Sequence, residues 1–111
     1  MENMSKRFIP VNDSGSGCLL GYFECSYKYL VRLLGKPNAV GDGYKISTQW
    51  NLRDEVTGNV FRIYDYKETN LYDRDLPSVR KFRSKEQHQW HIGGTNAECL
   101  AALKNFLNKK S

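Results

Sequence analysis

Ten residues in the middle of the chain alternate without a break. Tyr44, Ile46, Thr48, Trp50 and Leu52 take one parity; Lys45, Ser47, Gln49, Asn51 and Arg53 take the other. A period of two over this length calls for a β-strand with one buried and one wetted side. Asp54 to Asn59, containing Thr57-Gly58-Asn59, is a turn signal, and Val60 to Lys67 reads as the return strand of a hairpin. Phe61 and Ile63 share one side of that strand, and Arg62, Tyr64 and Tyr66 share the other. With the polar sides in common, Lys45, Ser47, Gln49 and Asn51 stand beside Arg62, Tyr64 and Tyr66. A slip of one residue would reverse the whole set.

The flanking segments add helices and further strands. Cys18 to Phe23 reads as a strand, and Ser26 caps a helix whose Tyr27, Leu30, Val31 and Leu34 fall on one face. Gly35 and Pro37 end it. Gln89 to Ile92 predicts a short strand that pairs with the hairpin, and Gly93-Gly94 reads as its end. Thr95-Asn96-Ala97-Glu98 is a capping box for a last helix with Leu100, Leu103, Phe106 and Leu107 on its apolar face. Before all this, Met1 to Gly17 reads as a flexible N-terminal segment, disordered over Met1 to Arg7 and closing on Ser14-Gly15-Ser16-Gly17. Within it, Phe8, Ile9 and Val11 suit a sheet edge, where Pro10 removes an amide that no neighbour needs. The expectation is one α+β domain over residues 18–111: an antiparallel sheet of three to four strands with two helices packed on one face. The other face is left open at least in part. Glu68 to Gln89 is a long stretch without periodicity, either a functional loop or partly ordered.

Composition narrows the class without naming a function. Aromatics at 13% and 111 residues suffice for a core, so a disordered chain is excluded. No apolar run approaches the roughly 18 residues of a membrane helix, and Met1 to Pro10 has no secretion signal. Cys18, Cys25 and Cys99 form no Cys-x-x-Cys pair, which points to reduced thiols in a cytoplasmic setting. The net charge of +5 favours anionic partners.

One run of landmarks resembles a known family. Gly21-Tyr22-Phe23, Ser26-Tyr27, Leu30 and Leu34-Gly35-Lys36-Pro37 are followed by Gly41-Asp42-Gly43-Tyr44-Lys45, Trp50 and Gly58. Then come Ile63-Tyr64-Asp65-Tyr66-Lys67 and Trp90-His91-Ile92-Gly93-Gly94. From Leu20 to Leu107 the chain resembles a family of small, mostly uncharacterised accessory proteins of bacteriophages and some large DNA viruses. The Tyr-Asp-Tyr-Lys and Trp-His-Ile-Gly-Gly segments are its most specific parts. The resemblance implies a viral protein acting in the host cytoplasm against host defence, and brings no catalytic residues with it.

Candidate chemistry follows from the wetted strand sides. Lys, Arg, Tyr and amide side chains together suit a nucleotide: rings stack on the base and cations neutralise phosphate. The ligand-binding candidates are Lys45, Gln49, Arg62, Tyr64, Tyr66 and Lys67 of the hairpin, with Trp90 and His91. Trp90 precedes a Gly-Gly helix start whose amides suit an anion. His88 and His91, three apart on a strand, point to opposite faces and do not converge on a metal. No nucleophile elbow, paired carboxylates or phosphate loop is present, so the chain reads as a non-enzyme with no metal and no cofactor. The leading expectation is a protein that sequesters an anionic ligand, a cyclic nucleotide immune signal of the host, as a homo-oligomer that completes the pocket. One alternative is an inhibitor that docks a host defence protein on its open sheet. Another is nucleic-acid binding through Arg80, Lys81, Arg83 and Lys85, around Phe82.

Overall fold

In the computed structural model, which describes residues 8–11, 18–39, 43–94 and 100–108, five strands build one antiparallel sheet. They are β1 (Phe8–Pro10), β2 (Cys18–Cys25), β3 (Gln49–Asp54), β4 (Val60–Tyr64) and β5 (His88–Gly94), in the order β1-β3-β4-β5-β2. Helices α1 (Tyr27–Leu34), α2 (Val79–Arg83) and α3 (Leu100–Asn108) complete the described elements. The α+β class is as expected, but five strands and three helices exceed the three to four strands and two helices read from the sequence. β1 is the edge strand that Pro10 permits, with Phe8 opposite Asp54 and Pro10 opposite Leu52. It lies inside the stretch assigned to the flexible segment. Helix α2 escaped notice because Phe82 is its one buried residue, too little for a periodic signal. Met1 to Arg7, the Ser14 to Gly17 linker, the Thr95 to Glu98 capping box and Cys99 lie outside the described residues.

The hairpin forms for the reasons its sequence contains. Gly58 takes φ 82°, a left-handed conformation that glycine adopts without penalty. Its N–H donates to the Asp54 carbonyl at 2.7 Å, and the Asp54 N–H donates to Asn59 O at 2.8 Å. The Asp54 carboxylate accepts from Val56 N–H and Thr57 Oγ1, each at 3.0 Å, locking the turn. Trp50 pairs with Ile63 and Leu52 with Phe61 on one face. Gln49 pairs with Tyr64 and Asn51 with Arg62 on the other. The expected pairing parity therefore holds across this hairpin, but the second side is not wetted as the alternation suggests: Gln49, Asn51 and Tyr64 are buried on it, and within β3 Arg53 alone is exposed.

Two boundaries differ from the alternation. β3 begins at Gln49, not Tyr44, because the Asp65 carboxylate captures the backbone just before it. Asp65 Oδ1 accepts from Ser47 N–H at 2.9 Å and Thr48 N–H at 2.7 Å, and Oδ2 accepts from Ser47 Oγ at 2.7 Å. Those amides are taken from the ladder, and residues 43–48 bend instead. At the other end, Gly93 and Gly94 do not stop β5 but belong to it, opposite Leu19 and Cys18 of β2.

All three helices stand on the Trp50 face. Trp50, Leu52, Phe61, Ile63, Trp90 and Ile92 pack with Leu30, Phe82, Leu103 and Leu107 in one apolar cluster. Each such side chain contributes about 1.5–3 kcal/mol when fully buried. The two indoles also pin α1 at its ends: Trp90 Nε1 donates to Cys25 O at 3.0 Å and Trp50 Nε1 to Gly35 O at 2.9 Å. Between them, Ser26 caps α1 by accepting from Tyr29 N–H at 2.9 Å. The opposite face of the sheet carries no helix among the described residues.

Candidate binding face

Alternation along β5 and β2 decides what the helix-free face presents. His91 lies between Tyr64 of β4 and Tyr22 of β2 in the ladder. Its ring is 4.9 Å from Tyr22, 5.5 Å from Tyr64 and 5.4 Å from Tyr66, centroid to centroid. One step along, Arg62 stands opposite Gly93. A Cβ on Gly93 would come within 2.7 Å of Arg62 Nη2, so the guanidinium lies across the bare glycine. Its carbon also sits 5.6 Å from the Tyr64 ring centre. Past the end of β4, Lys67 Nζ lies 5.2 Å from the Tyr66 ring and 5.1 Å from the Tyr72 ring. Tyr72 in turn is 5.2 Å from Tyr44. The result is a band of rings interleaved with two cations, within cation–π distance.

Lys67 is held there at a cost. Its φ of 59° makes it the one non-glycine residue with positive φ among those described. A left-handed lysine costs on the order of 1–2 kcal/mol. Its N–H donates to Lys45 O at 2.7 Å, fixing the bend and bringing the Lys45 backbone to the same end of the band.

Five of the eight candidate ligand residues, Arg62, Tyr64, Tyr66, Lys67 and His91, gather in this band, Tyr64 being buried within it; Lys45 is tied to it through its carbonyl alone. Gln49 is on the same face but buried, its Nε2 donating to Asn51 Oδ1 at 2.8 Å. Trp90 does not join them. Adjacent strand residues face opposite ways, so Trp90 turns to the helices, fully buried and 5.5 Å from Trp50. Gly93-Gly94 being strand, no helix start follows Trp90 directly. The sequence reading missed Tyr22 and Tyr72. Tyr22 could be found only through the β2–β5 pairing, whereas Tyr72 sits in a stretch with no period to place it.

Burial lowers the pKa of His91 from its ordinary value, with the Asp65 charge acting weakly in the other direction. Burial also lowers His88, which stacks on Phe82 at 3.8 Å on the opposite face. The two rings thus diverge, as their spacing requires. Cys25 is pushed up to about 12 by burial and behaves as a small apolar residue. Among the described residues, no three His, Cys, Asp or Glu side chains gather as a metal-holding group.

The basic run is divided by α2. Phe82 is buried against His88 and Trp90. Arg83 turns inward, donating to Thr48 Oγ1 from Nε at 3.2 Å and Nη2 at 3.1 Å, with its carbon 4.8 Å from the Tyr27 ring. Arg80, Lys81 and Lys85 are exposed. No helix of the described residues is long and apolar enough to cross a membrane. No family model matches the chain.

Proposed function

We propose that this protein is a non-enzymatic binder of an anionic, nucleotide-like ligand, held on the helix-free face of the sheet. The observation that carries this reading is the ring of Tyr22, Tyr64 and Tyr66 around His91, flanked by Arg62 and Lys67. Aromatic faces accept a base and the two cations offset phosphate charge. Lys67 supports it further, since strained backbone collects at sites where it serves a ligand. Joined to the resemblance to viral accessory proteins, the ligand is a cyclic nucleotide immune signal, sequestered in the host cytoplasm. Tyr22 and Lys67 are exposed on this face while Tyr64 is buried and Arg62, Tyr66 and His91 are half-buried; a second copy closing over the exposed part makes the ligand-bound form a homo-oligomer.

Calorimetry against a panel of cyclic and linear nucleotides tests this, with mass spectrometry of small molecules carried through gentle purification. Micromolar binding, with a larger hydrodynamic size on saturation, is the expected result. Silence across the panel at micromolar protein overturns it.

A second reading has one observation in its favour. β2 is an eight-residue edge strand with no proline or lysine, and it exposes Leu19 and Tyr22. Such an edge suits strand addition by a host defence protein. A stoichiometric partner from host lysate, unaffected by nucleotides, would favour that reading. The exposed Arg80, Lys81 and Lys85 leave nucleic-acid binding without the Phe82 ring it would need for stacking.

A further inference from the structure

The two ring nitrogens of His91 are not in equivalent positions. Nδ1 is buried and has no hydrogen-bond partner among the described residues; Nε2 is not in that state. A neutral imidazole carries one proton, and its position follows from what each nitrogen meets. A buried N–H with no acceptor is rarer and costlier than a bare acceptor nitrogen, so the proton belongs on Nε2. A second proton would put both an unanswered N–H and a charge among the rings.

Among the described residues the neighbours do not offset that charge: the Asp65 carboxylate favours it, but burial outweighs Asp65. Tyr22 faces His91 from β2, Tyr64 from β4, and Tyr66 from the segment after β4. Arg62 and Lys67 add positive charge beside Tyr64 and Tyr66. The Asp65 oxygens are occupied by Ser47 and Thr48. Glu24, two residues along β2 on the same face, is exposed.

We infer that His91 meets the ligand as an uncharged hydrogen-bond donor, its proton fixed on Nε2, and that the atom it meets is an uncharged acceptor on a planar ring. A nucleobase carbonyl or ring nitrogen has that chemistry and suits the flanking tyrosines. This rests on the nucleotide-binding reading and deepens it: Arg62 and Lys67 take the phosphates, and His91 takes the base edge.

The test compares His91→Gln, whose amide nitrogen falls near the place of Nε2, with His91→Asn, which puts it near Nδ1. Calorimetry uses a cyclic dinucleotide with adenine bases, adenosine monophosphate, and inorganic pyrophosphate as the probe without a base. H91N is expected to bind the two nucleotides about tenfold more weakly than H91Q, the loss of one hydrogen bond. Pyrophosphate should bind both variants equally. Nitrogen-15 NMR of the free wild-type protein at neutral pH should show the Nε2–H tautomer. Equal nucleotide affinity in H91Q and H91N, or a proton on Nδ1, overturns the inference and leaves the nucleotide reading intact. No binding of any probe to wild type overturns both.

Discussion

Arg62 lies across Gly93, with Nη2 2.7 Å from where a Cβ on that glycine would stand. The vacancy on β5 is what lets a cation from β4 rest against the sheet instead of standing off it. Gly94, its neighbour, faces the other way. A Cβ there meets Leu20 at 3.1 Å, the Val60 carbonyl at 3.1 Å and Phe61 at 3.3 Å. Gly93→Ala should therefore lift a flexible side chain, changing stability by less than about 1 kcal/mol while weakening ligand binding. Gly94→Ala presses on backbone and core and should cost about 1–3 kcal/mol. Urea denaturation of both variants, beside calorimetry of the first, checks the contrast.

Replacing the strained lysine should separate folding from binding. Lys67→Gly relieves the positive φ, and the expected gain is up to about 1 kcal/mol, reduced by the extra freedom of the unfolded glycine. It also removes the ammonium between Tyr66 and Tyr72, so ligand affinity should fall. A variant that is less stable and binds as well as wild type would contradict both halves.

Trp90 should prove purely a matter of packing. Trp90→Phe leaves Cys25 O without the indole N–H and opens space beside Trp50 and Phe82. A loss of about 2–4 kcal/mol is expected from the cavity and the orphaned carbonyl together. The nucleotide affinity of the folded fraction should be unchanged, measured well below the melting midpoint.

Acid should destabilise the protein through its histidines. Burial lowers both His88 and His91 below 6.5; for His88 a backbone hydrogen bond at Phe82 opposes burial and the Lys85 charge adds to it, while Asp65 opposes the shift in each. As pH falls through about 6.5, the unfolded chain takes up protons that the folded one resists, so stability drops with pH in that window. Above it the histidine contribution is flat. Urea midpoints at about pH 7.5 and 5.5 should show the fall, and H91Q should lessen it. A midpoint that rises on acidification would refute the assignment.

The basic run should divide along the inward and outward sides of α2. Arg83→Ala removes the hydrogen bonds to Thr48 and the cation over Tyr27, an expected loss of about 1–3 kcal/mol. Arg80→Ala, at an exposed position, should stay within about 0.5 kcal/mol of wild type. Chemical denaturation of the two variants side by side reads the difference.

Strict alternation made the hairpin legible, because the residues from Gln49 to Arg53 fall to two sides in turn and the Gly58 turn closes it, although the polar side proved buried at Gln49 and Asn51. Arg62 and Tyr64 could be placed on a common face from parity alone; His91 joins them only through the β4–β5 register. The ends were harder. Asp65 lies 17 residues beyond Thr48, and nothing local says that its carboxylate would take the Ser47 and Thr48 amides and shorten β3. Gly93-Gly94 reads as a breaker because glycine usually marks a stop; its use here, room for Arg62 and Phe61, depends on the neighbouring strand. Trp90 beside His91 looks like one motif in a line of text, yet a pleated strand sends the two to opposite sides.

Placing every described helix behind the sheet divides the chain in space. The tryptophans and leucines at the back hold the molecule together, while Tyr22 and Lys67 at the front are left exposed. Exposed front positions such as Tyr22 and Lys67 can therefore change without touching the back, whereas buried Gln49, Asn51 and Tyr64 belong to both sides of that division.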